Sequence, residues 1–415
     1  MMITQQEYMV LKQPVRRLSI KIDLINENDA IVGSFEGIAI GGQITMDANS
    51  NYRRTGNLEM ILDKKYNLLP SPTSKIWFNK RIGIYIGLKN FMDETVWFNM
   101  GRFAISNVNL DFSTSEKRLS CELLDYMAFL DGSLAGQLTH ETRVVAQGVT
   151  INDAIKATLS GLAKISLDNV IVDGSLAVVP MDIEMPSGST VYDLIKQLSD
   201  LYKNYTFYFN EEGYFRLEQI KNRKNDPIVW DFTDIDLSVN YSRSLNFQNV
   251  KNSIWVWGKQ LDNGLQIVWN YRNRYARNTI SEMNDINDMV RNDICHVISE
   301  GLSYVWDNVS WELLDFEVVP DFRMESIGEK VLSISDTNIY DDAQSKLRCE
   351  YELKNYSSWA ESINISCVPI YSLDINNKIK LKIDEIGVGG DYLVKNITIP
   401  LSLETSSIQC EKIYY

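Results

Sequence analysis

Histidine is nearly absent from this sequence of 415 residues, which contains only two, His140 and His296. Zinc centres built from two or three histidine ligands are therefore disfavoured. The five cysteines form no CxxC pair and are odd in number, which argues against a disulfide framework. Proline (9) and glycine (22) are too sparse for a low-complexity chain. No apolar run approaches the roughly 20 residues of a membrane span, so we expect no transmembrane segment. The N-terminus, Met1 to Val10, is polar and has no signal-peptide hydrophobic region, so we expect no signal peptide.

Positive charge is also in short supply, with 41 Lys and Arg against 55 Asp and Glu, a net charge of −14. An acidic surface repels phosphate, so the charge excludes sequence-independent nucleic-acid binding as an expected function. The same repulsion disfavours anionic membrane surfaces. Hydrophobic residues at 45% and charged residues at 23% are typical of a folded globular chain. At about 100–200 residues per domain, the length predicts two to four domains.

Alternating apolar and polar residues predict short strands through the first third of the chain, as at 18–24 and 81–88. Several short strands separated by turn residues indicate a barrel or a sandwich. Helices are predicted to begin near Thr150 and Thr190, and an aromatic hairpin follows the second of them. The expected domains are a β-barrel-type domain at 1–137, a small α+β domain at 138–226, a segment of strands plus helix at 227–310, and a second β-barrel-type domain at 311–415, with interleaving of the last two allowed.

The second half of the chain alternates between strand and helix signals. Asn263-Gly264 between two alternating runs predicts a hairpin. Apolar residues at helical spacing predict a helix over Ser281–Ser303. The remaining predicted strands are 347–353, 362–368, 378–383, 392–399 and 407–413.

The motifs that resemble chemical sites have better structural explanations. Cys295 and His296 are neighbours on the predicted helix, where they would point about 100° apart and not face each other. The glycines at 387–390 lack the following helix of a phosphate loop, so they favour a hairpin turn. The stretch from Asp374 imitates a calcium loop, but it has Lys378 at a ligand position. No catalytic, cofactor-binding or metal-ligating residue is predicted.

Arg53 and Arg54 interrupt the acidic background in a polar segment between two predicted strands. One interpretation is an ordinary loop with solvated charges. The other is a subunit-interface anchor, because the planar guanidinium forms bidentate salt bridges with carboxylates. On the second interpretation, replacing both residues with alanine would weaken assembly and leave the monomer folded.

Several segments, in this order along the chain, resemble one family, the hub proteins of phage tail tips and baseplates. Its first domain is similar to Asp47–Gly56, Trp97–Ile105 and Leu124–Gly132. Its last domain is similar to Pro369–Asn377 and Gly390–Leu401. The resemblance includes the trimeric hub of contractile tails and the tail-associated hub of siphophages infecting Gram-positive bacteria.

This resemblance implies a mainly β fold with α+β parts, containing two related β-barrel domains and two smaller α+β domains. Three copies would form a ring whose six barrels continue the six-fold tail tube and adapt it to three-fold symmetry. The implied partners are further copies of the chain, a distal tail or tail tube protein above, and fibre, spike or other baseplate proteins below. DNA would pass through the ring without specific binding. The protein would be assembled in the host cytoplasm and reside in the virion.

The resemblance also implies a structural protein without cofactors and without enzymatic activity. Some family members carry a C-terminal peptidase or receptor-binding extension, and this sequence ends directly after its last predicted strand. Two alternatives stay open, a cell-wall-degrading tail hydrolase and a hexameric distal tail protein.

Overall fold

The computed structural model describes residues 3–62, 64–77, 80–112, 117–139, 142–173, 177–202, 205–221, 223–233, 238–261, 264–336, 339, 341–356 and 360–413. Strands account for 45% of the structure and helices for 18%, so the predicted mainly β class is confirmed. The chain divides into two compact units, Met1–Arg243 with Ser362–Ile413, and Ser244–Glu361. The domain boundaries drawn from composition stay predictions.

The described residues form 24 strands and six α-helices. The strands are β1 (Leu18–Ile25), β2 (Ile31–Glu36), β3 (Ala39–Asp47), β4 (Arg54–Ile61), β5 (Arg81–Lys89), β6 (Thr95–Phe112), β7 (Lys117–Leu124), β8 (Arg143–Val145), β9 (Val170–Val172), β10 (Ile183–Met185), β11 (Tyr205–Phe209), β12 (Phe215–Gln219), β13 (Ile228–Asp231), β14 (Ser238–Asn246), β15 (Ser253–Gln260), β16 (Gln266–Arg277), β17 (Asp293–Val297), β18 (Leu302–Trp306), β19 (Trp311–Leu313), β20 (Val331–Ser335), β21 (Ala360–Cys367), β22 (Lys378–Ile383), β23 (Val388–Pro400) and β24 (Ser406–Lys412). The helices are α1 (Gln5–Leu11), α2 (Ile151–Gly161), α3 (Val191–Asp200), α4 (Ile280–Asn284), α5 (Met324–Ile327) and α6 (Asp342–Tyr356).

Thirteen of the described strands form one sheet, in the order β14-β21-β24-β23-β3-β4-β7-β6-β5-β1-β2, with β22 on β23 and β13 on β22. Alternation along the strands places one set of side chains in the core, as for Ile20, Ile22 and Leu24 of β1. Strands from the two ends of the sequence share that core. The predicted strands of the first third and of the C-terminal end therefore belong to one sheet.

The described strand pairings do not close into the barrels that the resemblance implies. Strand β3 pairs with β4 along one edge and with β23 along the other, so that Ile44 lies between Gly56 and Ile399. Neither edge of β3 is then free for β2, which ends the sheet. The N-terminal strands therefore continue into the C-terminal ones instead of closing on themselves.

A second core lies among residues 126–217 and contains both predicted helices and the predicted hairpin. Helix α2 begins after Thr150, whose Oγ1 accepts a hydrogen bond from the Asp153 N–H at 3.2 Å. Helix α3 begins with a reciprocal capping box between Thr190 and Asp193. Strands β11 and β12 form the hairpin, and β9 joins β12 in parallel. Local capping and turn residues were sufficient to predict these elements.

The unit Ser244–Glu361 contains a six-stranded sheet in the order β19-β18-β17-β16-β15-β20. The helix predicted over Ser281–Ser303 is wrong, because this stretch forms the short α4 followed by β17 and β18. All five residues of β17 are buried. A strand covered on both faces shows no two-residue alternation, and its apolar run imitated a helical spacing.

The strand predicted over 347–353 is also wrong, because these residues lie in the helix α6. Leu347, Cys349, Tyr351 and Leu353 alternate with polar residues, which is typical of a strand. In the structure α6 packs on β15 and β16. Tertiary packing therefore selects the helix. None of the helices in the described ranges has the length and hydropathy needed to cross a membrane.

Candidate interaction site around Arg53 and Arg54

Cys295 and His296 lie on β17, where successive side chains point to opposite faces of the sheet. Burial raises the pKa of Cys295 to about 12, so the thiol stays protonated at neutral pH. The His296 Nδ1 lies 3.0 Å from Ser303 Oγ, and burial lowers the pKa of the imidazole. The two side chains therefore form no nucleophile–base pair. The other histidine, His140, lies outside the described residues.

The glycines at 387–390 lie where β22 turns back into β23, and the two strands pair in antiparallel register. The predicted hairpin is confirmed, and a strand follows where a phosphate loop needs a helix. Asp374, the first residue of the calcium-like stretch, forms an ion pair with Arg54. Among the described residues, no group of three or more His, Cys, Asp or Glu side chains is placed to hold a metal ion.

Arg54, the first residue of β4, is only 4% exposed, so the solvated-loop interpretation is wrong. Its Nη2 lies 2.5 Å from Asp374 Oδ2 and 3.6 Å from Glu211 Oε2. Asp374 belongs to the loop between β21 and β22, and Glu211 to the turn between β11 and β12. One guanidinium thus connects three segments that are distant in sequence. Gly101 makes room for it, since a Cβ there would lie 2.9 Å from Arg54 Cδ.

Asp125 fixes the backbone on which both arginines sit. Its Oδ2 accepts a hydrogen bond from the Arg54 N–H at 3.1 Å, and its Oδ1 accepts one from the Met127 N–H at 2.9 Å. The Asp125 N–H in turn donates to the Arg54 carbonyl at 3.0 Å. Burial raises the pKa of Asp125 to about 6, while these hydrogen bonds act in the opposite direction.

Arg53 is 8% exposed and points away from the Arg54 ion pairs, toward the β11 strand. Its Nη2 donates to Thr206 Oγ1 at 3.1 Å, and its guanidinium lies 5.3 Å from the centre of the Tyr208 ring. Its Nη1 is buried and has no hydrogen-bond partner among the described residues. A buried donor left unsatisfied costs about 1–3 kcal/mol. Burial also disfavours the charged form of the guanidinium and so lowers the pKa of Arg53.

A cavity of about 220 Å³ adjoins Arg53. Its walls come from the loop between β3 and β4, from helix α3 and from strand β11. Most of the side chains that line it are polar: Asn49, Ser50, Asn51, Arg53, Lys196, Ser199, Asp200 and Thr206. The position at a subunit interface, which the sequence suggested for Arg53 and Arg54, stays a prediction.

The pKa of Asp125 leads to a pH-dependent stability. A carboxyl whose pKa is higher in the folded than in the unfolded state contributes stability below its unfolded pKa of 3.8, which is lost as the pH rises through about 6. We therefore expect the unfolding free energy of the native protein, relative to Asp125→Asn, to fall by up to about 3 kcal/mol between pH 4 and pH 7. Urea unfolding at several pH values measures this difference.

Asp168→Asn is the control, because Asp168 is exposed and its replacement should leave the pH profile parallel to that of the native protein. Asp125→Asn also removes one hydrogen-bond acceptor, which lowers stability equally at every pH. The informative quantity is therefore the slope, against pH, of the difference in unfolding free energy between the native protein and Asp125→Asn. A constant difference between native protein and Asp125→Asn across this range would contradict the prediction.

The partners of the two arginines were not predicted from the sequence. Strand pairing and loops bring four partners to them from 71–320 residues away: Asp125, Thr206, Tyr208 and Asp374. No spacing rule connects such positions. The basic dipeptide Arg53-Arg54 was the signal that the sequence offered. These two residues lie at the centre of the contacts described above.

No protein-family model and no curated protein matches this chain. Among the solved structures that match it, three tail proteins do so over nearly their whole length. The tail protein from Neisseria meningitidis MC58 has a TM-score of 0.57 at 10% identity, covering 95% of this chain and 96% of that chain. The chain shares its fold with tail proteins.

Two further structures with a similar fold are tail proteins of prophages. The prophage MuSo2 43 kDa tail protein from Shewanella oneidensis has a TM-score of 0.54 at 12% identity, covering 94% of this chain and 98% of that chain. Prophage tail protein gp18 from Listeria monocytogenes EGD-e has a TM-score of 0.50 at 9% identity, covering 95% and 94%. Such low identities show the fold, and the chemistry around Arg53 and Arg54 has to be argued from this chain alone.

Proposed function

We propose that this chain is a structural subunit of a phage tail tip or baseplate hub, and that three copies form a ring. The observation that carries this proposal is the likeness to three tail proteins, which covers 94–95% of this chain and 94–98% of theirs. A shared single domain would be weak support, because one fold hosts many functions. An arrangement shared over the whole length supports a common role more strongly.

The large sheet suits a change of symmetry from six-fold to three-fold. It contains one set of strands from residues 18–124 and another from residues 228–246 and 360–412. Three chains arranged around an axis would present six such sets. A ring of this kind could contact a six-fold tube on one side and three-fold components on the other.

The proposed partners are therefore other copies of the chain, a distal tail or tail tube protein on one side, and fibre, spike or other baseplate proteins on the other. DNA would pass through the ring. The net charge of −14 per chain opposes retention of phosphate by the ring, so an inner wall of acidic or neutral side chains is proposed. The site of action would be the virion tail, after assembly in the host cytoplasm.

The mass in solution tests the ring. A trimer has three times the 47.7 kDa of one chain, about 143 kDa, and mass photometry of recombinant protein or of purified tail tips should show that species. A stable hexamer without trimer would favour a distal tail protein instead. The proposed role requires no catalysis, and clearing of cell walls in a zymogram would contradict it.

A further inference from the structure

Two tryptophans lie next to each other on one face of the six-stranded sheet. Trp255 and Trp257 are two positions apart on β15, so both side chains point to the same face. Their ring centres are 5.9 Å apart and their planes differ by 15°. Both side chains are half-buried. The two indoles therefore form one continuous aromatic surface along the strand.

Hydrogen bonds fix the orientation of both indoles. The Nε1–H of Trp255 donates to Ser253 Oγ at 3.1 Å, and that of Trp257 donates to Ser333 Oγ at 3.0 Å. Ser253 lies two positions before Trp255, and Ser333 pairs with Trp255 in the parallel register of β15 and β20. Both indoles therefore lean in the same direction along β15. Their N–H groups are satisfied within the sheet, so the aromatic surface is what they offer to a ligand.

The opposite face of the same strands belongs to the core. Ile254 and Val256 of β15 are fully buried there. Helix α6 packs on this side, where Cys349 Sγ donates to the Trp269 carbonyl oxygen at 3.2 Å. The stability of the sheet thus rests on the core face, and the tryptophan face is available for another purpose.

The cross-strand neighbours of the two tryptophans carry no charge. They are Val268, Asn270, Ser333 and Ser335. Val268 is 37% exposed and both serines are exposed, so this surface is open to solvent. Arg272, the next residue of β16 on this face, is committed to Asp293 at 2.7 Å. Since hydroxyl and amide groups both donate and accept hydrogen bonds, the surface matches an uncharged ligand rich in hydroxyl groups.

We propose that Trp255 and Trp257 form a carbohydrate-binding platform that takes a neutral oligosaccharide, with two consecutive sugar rings over the two indoles. The hydrogens on the carbon atoms of a sugar ring pack against the negative face of an aromatic ring, while its hydroxyls stay at the edge. There Asn270 and Ser335 exchange hydrogen bonds with them. The 5.9 Å between the indoles is close to the length of one sugar ring in an extended chain. This proposal does not depend on the hub role.

Calorimetric titration with three neutral hexasaccharides, cellohexaose, maltohexaose and chitohexaose, tests the platform. We expect at least one of them to bind saturably at millimolar concentrations. Trp257→Leu keeps an apolar side chain but loses the aromatic face, and it should raise the dissociation constant at least about tenfold. Trp257→Tyr keeps an aromatic face and should lose less affinity. Absence of binding by all three hexasaccharides would overturn the proposal.

Trp306→Leu is the matched control. Trp306 and Trp311 also form a tryptophan pair in this sheet, with ring centres 5.5 Å apart, but their planes are inclined by 59° and offer no common surface. Trp306→Leu should bind the hexasaccharide as the native protein does, with all variants compared at equal folded fraction. An equal loss of affinity in Trp306→Leu and Trp257→Leu would overturn the assignment of binding to Trp255 and Trp257.

Fluorine NMR of protein labelled with 5-fluorotryptophan locates the bound sugar. Among the signals of the nine tryptophans, those of Trp255 and Trp257, assigned with the Trp255→Phe and Trp257→Phe variants, should shift most when the hexasaccharide is added. Shifts confined to other tryptophans would contradict the proposed position.

Assembly measurements separate this proposal from the proposed function. If no sugar binds and Trp257→Leu instead weakens subunit assembly, the tryptophan face is an interface between chains and the carbohydrate platform is refuted. Sugar binding through Trp255 and Trp257 in a protein that stays monomeric would refute the hub role and support the platform, so the two failures can be told apart.

Discussion

Replacing Arg54 with alanine is expected to lower the free energy of unfolding by about 3 kcal/mol. The substitution removes a guanidinium that is 4% exposed and pairs with Asp374 and Glu211. It also leaves a space beside Gly101 and separates the β4 strand from two loops. Both carboxylates are about one-third exposed, so water can partly solvate them once the guanidinium is removed. We therefore place the expected loss of unfolding free energy at the lower end of the range for buried ion pairs. Urea unfolding followed by tryptophan fluorescence measures it.

Arg118→Ala is the control, because Arg118 pairs with Glu59 at 3.0 Å while both side chains are about one-third exposed. Its loss should cost under about 1 kcal/mol. In a double-mutant cycle, Arg54→Ala and Asp374→Ala should be non-additive by about 1–3 kcal/mol. Equal losses for Arg54→Ala and Arg118→Ala would refute the assigned role of Arg54. Assembly of any Arg54 variant has to be compared at equal folded fraction.

Gly42→Ala is expected to destabilise the protein by at least about 3 kcal/mol. Gly42 lies in β3, the strand through which the N-terminal and C-terminal strands join. Its φ is +118°, and a Cβ would lie 2.2 Å from the carbonyl oxygen of Asn57 on the paired strand β4. That oxygen belongs to backbone, so relief requires β3 and β4 to separate locally. A lower melting temperature together with a lower urea midpoint would show the effect.

The matched control is Gly33→Ala in β2, at the end of the sheet. A Cβ at Gly33 would have no described heavy atom within 4 Å, and the residue lacks the positive φ of Gly42. We expect a change within about 0.5 kcal/mol for it. Comparable losses of unfolding free energy in both variants would contradict this prediction. They would mean that replacing any glycine destabilises the protein, whether or not β3 and β4 approach closely.

Local sequence signals predicted elements wherever the deciding interactions are themselves local. Thr150 and Thr190 form caps with residues three positions away, and the α2 and α3 helices begin where these caps predict. Period-two alternation located β1 and β5 because each faces the core on one side. The same rules failed for β17, which is buried on all residues, and for α6, whose alternation imitates a strand.

The acidic composition, the shortage of histidine and the strand alternation by themselves determined a mainly β globular chain without a recognisable catalytic motif. Tertiary structure alone decided that β23 pairs with β3, since hydrogen bonds between strands about 350 residues apart leave no local pattern. It also decided which groups the side chains of Arg53 and Arg54 contact. Adjacent residues leave the backbone in different directions, so Arg54 meets Asp374 while Arg53 turns to Thr206 and keeps a buried donor unsatisfied.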